Sequence, residues 1–154
     1  MTLYNKAIAT IFATATLLSS PVFAAENQFL GTWKTEKKGD ESKTADVEIK
    51  PCDNNPEQLC GKIVDIEQRL DPVTFQPKLD KNNKDKSLRN RPVIGLSMLE
   101  GLSKKGDHYT GGTIYSPKTG KTYDATLKIK DQNTLEVTGH VFVFSSTQTW
   151  KRVK

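Results

Sequence analysis

The chain has 154 residues, 35% hydrophobic and 27% charged, with 23 basic against 18 acidic side chains and a formal charge of +5. That length suits one domain, and it buries enough surface to fold without a metal or extra staples. The lysines are scattered among aspartates and glutamates with no cationic stripe interleaved with aromatics, so the balance serves solubility or an acidic envelope protein, and nucleic acid is not an expected partner.

At the start, Lys6 precedes the apolar stretch Ala7 to Leu18, and the small-residue site Val22-Phe23-Ala24 follows. This is the n-region, h-region and cleavage pattern of a secretory signal peptide, residues 1–24. The apolar core, about 12 residues, is well short of the roughly 20 needed to span a bilayer as a helix. No other segment approaches that length, and no cysteine follows the cut for lipid attachment. The mature domain, residues 25–154, is therefore expected to be periplasmic or secreted, with no membrane span. Removing the leader takes away one lysine and leaves 130 residues with a charge of +4.

The first strand is expected over Phe29 to Thr35, carrying Gly31-Thr32-Trp33, and the second over Asp46 to Lys50. Cys52 and Cys60 bracket the turn formers from Asp53 to Leu59, with Val47-Glu48-Ile49 before and a third strand, Gly61 to Glu67, after. In an oxidising compartment such an even pair bridges, here closing a hairpin. A metal would need four ligands, and no histidine or further cysteine is near.

From Gln68 to Arg91 the rhythm breaks. The segment holds Pro72, Pro77 and a polar run from Asp80 to Arg91, with a helical turn expected at Asp85 to Arg89. Connections this long inside a compact domain are lids or solvated loops. The polar run has a faint calcium-loop pattern, but Lys84 takes a ligand position and the glycine of the sharp turn is missing, so no metal is expected.

Strands resume at Val93 to Leu99 and Tyr109 to Tyr115, and Ser116-Pro117-Lys118-Thr119-Gly120 turns the chain into Lys121 to Lys130. There Tyr123, Ala125, Leu127 and Ile129 alternate with polar residues, one face buried and one wet. Asp131-Gln132-Asn133 leads into Thr134 to Phe144, in which Gly139 is read as a bulge or bend. Ser145-Ser146 leads to the last strand, Thr147 to Val153. About eight short strands with no amphipathic helical pattern predict an all-β sandwich or barrel, and closure removes exposed edges. Trp33 on the first strand and Arg152 on the last are placed to close it by aromatic packing and a cation–π contact.

Seven ordered motifs run through the chain: Gly31-Thr32-Trp33; Leu59-Cys60-Gly61-Lys62-Ile63; Asp80 with Asn82-Asn83; Leu88-Arg89-Asn90-Arg91-Pro92 followed by Gly95; Gly111-Gly112-Thr113-Ile114-Tyr115-Ser116-Pro117; Gly120-Lys121-Thr122-Tyr123; and Thr147-Gln148-Thr149-Trp150-Lys151-Arg152. Together they resemble the bacterial secreted family catalogued as domain of unknown function 2147, over nearly the whole mature chain. The resemblance implies a calycin-type, lipocalin-like barrel exported to the periplasm or beyond. The family has no settled biochemical activity. Lipocalins carry a helix after the eighth strand, whereas this chain ends two residues past Arg152. The expected fold is a single antiparallel, up-and-down, eight-stranded β-barrel with no C-terminal helix.

An eight-stranded barrel is wide enough either to be filled by side chains or to hold one small ligand. Tyr115, Tyr123 and Trp150 as amphipathic aromatics, with Asp80, Asn83 and Arg91 from the long loop, make the combination expected of a ligand pocket. The same residues also fit a bland role in which the tyrosines fill the core and Asp80 pairs with Arg91 to pin the loop. The leading functional expectation is an exported protein that binds a small, partly apolar molecule at its open end, with Gln68 to Arg91 as a movable cover. The alternative is a macromolecular module, such as an inhibitor or accessory factor of an envelope enzyme, contacting an acidic partner through Lys81, Lys84, Lys86, Arg89 and Arg91. Catalysis has little purchase. His108 and His140 fall on separate strands, no Gly-x-Ser-x-Gly elbow is present, and no cofactor is expected.

Overall fold

The computed structural model describes residues 27–36 and 44–153; the leader, residues 1–24, lies outside the described residues. Eight strands follow in chain order: β1 (Gly31–Lys34), β2 (Ala45–Cys52), β3 (Asn55–Ile66), β4 (Ser97–Lys105), β5 (His108–Ser116), β6 (Lys121–Asp131), β7 (Thr134–Val141) and β8 (Phe144–Arg152). Each pairs antiparallel with the next, and β8 returns to β1 through Trp33 opposite Arg152, so the sheet closes into an up-and-down barrel. The described residues include one short 3-10 turn, Lys86–Leu88, whose first amide turn is capped by Asp85, and no α-helix.

This topology gives the barrel two poles. The β3–β4, β5–β6 and β7–β8 connections, with the end of β1 and the start of β2, lie at one, called upper here. The β2–β3, β4–β5 and β6–β7 hairpins lie at the lower pole, with the incoming residues 27–30.

At the lower pole Trp33 is fully buried and its indole Nε1 donates to the Phe29 carbonyl at 3.0 Å. The Arg152 guanidinium sits 4.1 Å from the Trp33 ring centroid and donates to the carbonyls of Leu30, Gln28 and Gln132. Gly31 makes this approach possible. Its φ is +114°, and a Cβ there would lie 3.0 Å from Arg152 Nη1, so backbone and space both call for glycine. Around and above this layer, inward residues of β2, β3, β4, β6, β7 and β8 pack the lumen: Val47, Ile49, Ile63, Leu99, Leu102, Leu127, Leu135 and Trp150 are almost wholly buried.

Several turns and strand limits differ from expectation. The Cys52–Cys60 disulfide forms, with 4.9 Å between the Cα atoms, but the hairpin turns on Asp53-Asn54 alone, since Cys52 is the partner of Asn55 and Asn55 to Leu59 belong to β3. The bridge runs diagonally across the pair of strands: Lys50 is the direct partner of Cys60, and Cys52 lies two residues further along β2. The fourth strand starts at Ser97 rather than Val93. Val93 and Leu96 are buried anchors of the preceding loop, where the Leu96 carbonyl accepts from Ile63 N at 2.9 Å and Gly95 N donates to the Ile63 carbonyl. The last hairpin turns on Phe142-Val143, Val141 facing Phe144, and not on Ser145-Ser146. Gly139 is no bulge: it pairs in unbroken register with Ala125 on one side and Ser146 on the other.

Candidate functional site

Period two along β7 puts Val137, Gly139 and Val141 on the face of buried Leu135, and their partners on β8 are Gln148, Ser146 and Phe144. Here side chains shorten and the filled lumen gives way to a cavity of about 350 Å³. It is walled by these residues, by Met98 of β4, by Ile114, Tyr115 and Ser116 of β5, by Tyr123 of β6 and by Ser145. A Cβ on Gly139 would make ordinary contacts of 3.7 and 3.8 Å with Ile114 and Tyr123, so the glycine leaves usable room. No charged side chain lines the cavity. Its polar groups are phenols, serine hydroxyls and the Gln148 amide, which accepts from Trp150 Nε1 at 3.3 Å.

The six expected ligand residues therefore separate. Tyr115 and Tyr123 line the cavity, and Trp150 lies beneath it in the core, positioning Gln148. Asp80, Asn83 and Arg91 come together outside the lining. Asp80 has no solvent exposure and accepts from the Tyr115 phenol at 2.6 Å, from Asn83 Nδ2 at 2.8 Å and from Arg91 Nε and Nη2 at 3.1 and 3.0 Å. Asn83 Nδ2 also reaches the Tyr115 oxygen at 3.0 Å, and the Arg91 guanidinium stands 5.9 Å from the Tyr115 ring centroid. The set is saturated, and no buried side-chain polar atom among the described residues lacks a partner. Burial, and then the hydrogen bond to the Asp80 carboxylate, push the Tyr115 phenol above its ordinary value of 10.0.

A second latch lies beside the first. Asn82 Nδ2 donates to the carbonyls of Lys118 and Pro117 at 2.9 and 3.3 Å, and the Gly120 Cα presses so close to the Asn82 carbonyl that a Cβ would overlap it. The long connection is thus held against the β5–β6 turn, and none of residues 68–91 lines the cavity. The expected movable cover is corrected accordingly, because Asp80, Asn82 and Asn83 spend their hydrogen bonds on anchoring it to the barrel. The cationic set on that loop is partly engaged within the fold too. Lys81 pairs with Asp71 at 3.2 Å, Arg91 with Asp80 at 3.0 Å, and Arg89 Nε donates to the Asn83 carbonyl.

Elsewhere, a charged cleft between β1, β2 and β3 is occupied by its own ion pairs, Lys34–Asp46 at 2.6 Å and Arg69–Asp65 at 2.7 Å. Among the described residues no three histidine, cysteine, aspartate or glutamate side chains converge as metal ligands. His108 meets Asp107 at 3.0 Å and His140 meets Thr126 at 3.2 Å, on different strands.

Residues 31–152 match the family described as "Uncharacterized protein conserved in bacteria (DUF2147)". The chain belongs to this family. The matched span of the DUF2147 barrel begins at Gly31 and ends at Arg152, the two residues that meet at the lower pole. Among solved structures it is similar to protein HP1028 from Helicobacter pylori, which is described as belonging to the lipocalin family. The two share 26% identity and a TM-score of 0.66, with 81% of this chain and 82% of that one covered. A crystal structure of a mutant of the fluorescent protein UnaG aligns over 82% of this chain and 97% of that one, at 19% identity and a TM-score of 0.43. No curated protein matches the chain.

Most of the cavity wall had a readable signal that the turn residues masked. The alternation through Leu135 and Val137 continues to Gly139 and Val141, but placing the turn at Ser145-Ser146 hides the inward role of Phe144 and Ser146.

Proposed function

We propose that this DUF2147 barrel is an exported binding protein of the cell envelope for a small, partly apolar, uncharged molecule. The observation that carries the reading is the cavity of about 350 Å³ at the upper end of the lumen, with apolar walls, a few hydroxyl and amide groups and no charge. That size lies at the lower end of the roughly 300–1,000 Å³ typical of ligand sites. A net-charged ligand would find no counter-ion there, and its desolvation would go uncompensated. Similarity to a protein described as a lipocalin supports a binding role. Export is supported by the leader pattern of residues 1–24 and by the disulfide, a bond characteristic of oxidising compartments.

Native mass spectrometry of protein recovered from the envelope or medium should find a bound small molecule. In parallel, the uncharged dye N-phenylnaphthylamine should brighten on binding the wild type and fail to do so with Gly139→Phe, which fills the cavity from a regular strand position and should melt close to wild type. A clean apo mass, together with dye binding indifferent to that substitution, would overturn the reading.

A further inference from the structure

We propose that the upper pole docks on a bilayer surface rich in anionic lipid, with Phe142, Val143 and Phe144 as an apolar wedge and Lys118 and Lys121 as its cationic flank. The wedge is the tip of the β7–β8 hairpin. Phe142 is 103% exposed, Val143 89% and Phe144 76%, a cluster of large apolar side chains in water with nothing packed over it.

Folding does not explain this tip. A two-residue hairpin turn favours asparagine, aspartate or glycine, residues that tolerate a left-handed backbone. Here the chain sets Phe142 at φ +50°, in that strained region. Only two non-glycine residues among the described ones have positive φ, and the other, Phe75, is also exposed but away from the cavity lining. Strain and exposure together at an apolar turn point to a role outside the folded domain.

The neighbouring strand supplies the charge. Asp124 of β6 pairs with His140 of β7, so continuing that register brings Lys121 level with Val143, and Lys118 follows on the adjoining turn. Among the described residues neither lysine forms an ion pair. Lys84 and Lys86, exposed on the connection that Asn82 latches to the same turn, widen the positive field.

A second copy of the chain fits less well. The wedge together with the half-exposed Val141 offers on the order of 500 Å² per copy, short of the roughly 800 Å² per partner that stable protein interfaces bury. Insertion at a lipid interface needs only a shallow apolar contact and nearby cations. Val141 and Phe144 also line the cavity, so the docked pole would hold the cavity mouth against the acyl boundary. Docking itself needs no cargo and stands apart from the binding role proposed above.

The test is flotation of the protein, as processed by the cell, with vesicles of phosphatidylglycerol and phosphatidylethanolamine against vesicles of phosphatidylcholine alone. Binding is expected to the first and to be lost in high salt. The double variant Phe142→Ser with Val143→Ser should weaken it about tenfold or more. Lys118→Glu with Lys121→Glu should do the same for anionic vesicles alone. Phe142→Gly relieves the positive φ, so it should raise the melting temperature while lowering vesicle binding, which separates the wedge from any folding defect. Failure of the wild type to float, binding unchanged in the Phe142/Val143 variant, or a concentration-dependent dimer that the same variant dissolves would each overturn the proposal. Dye binding in solution, measured on the same preparations, reports on the cavity independently.

Discussion

Asp80 and Asp71 show how one side chain type serves two ends of the long connection. Asp80 is buried with four donors aimed at it, whereas Asp71 sits in an open turn and is held down to about 2, from an ordinary 3.8, by the amides of Thr74 and Val73 and by Lys81. A carboxylate depressed in the folded state adds stability above its ordinary value and loses it as pH falls through its folded value. The Val73 and Thr74 amide resonances should therefore titrate with a midpoint near pH 2, and a midpoint at 3.8 would show that these hydrogen bonds are not kept in solution. Tyr115 has the opposite sign. Its raised value means that the Asp80 anchor is intact below the ordinary phenol range and loosens as the solution becomes more alkaline than the folded value, visible as late tyrosinate absorbance. The pairing of Asp80 with Arg91 could be read from charge and spacing. That the pair faces the barrel wall and not the lumen could not, because it depends on where Tyr115 projects its hydroxyl.

Among the elements, those with strict alternation were legible to the residue or nearly so: Lys121 to Lys130 was expected and Lys121–Asp131 forms. The errors cluster where tertiary contact overrides local pattern. Val93 and Leu96 look like a strand because both are apolar, yet they are buried from a loop, while true β4 is disguised by exposed Ser103, Lys104 and Lys105. The Phe142-Val143 turn contains no turn former at all. The β5–β6 turn, by contrast, was readable from Pro117 and Gly120, and its glycine carries a consequence for the neighbouring loop. Gly120→Ala should cost about 2 kcal/mol or more through its positive φ and its overlap with Asn82, and should speed tryptic cleavage after Lys84 and Lys86 by loosening the connection that carries them. Stability and cleavage like the wild type would show that the latch is slack. At the lower pole, reducing the Cys52–Cys60 bridge should lower stability by about 2–3 kcal/mol in urea unfolding, and leave dye binding at the opposite pole unchanged.

The whole molecule divides into a cemented lower half and a hollow upper rim. Trp33 ties the first strand to the last through Arg152, so Trp33→Ala should cost about 3–5 kcal/mol by removing a fully buried indole and the surface on which the guanidinium rests. A variant melting like the parent would mean that closure rests on the backbone ladder alone. The barrel class was legible because period-two patterning and short turns repeat along the chain, whereas the cavity was not, since it arises from side-chain volumes summed over five strands.

Gln28 and Arg152 touch at the cemented pole, at 2.6 Å between the Gln28 carbonyl and Arg152 Nη2. A reporter or tether attached at either extremity of the barrel therefore hangs from its base. Molecules anchored to a chip in that way would stand with their rims outward, ready to meet solutes or liposomes, and a permuted chain joining the two extremities would need only a short splice.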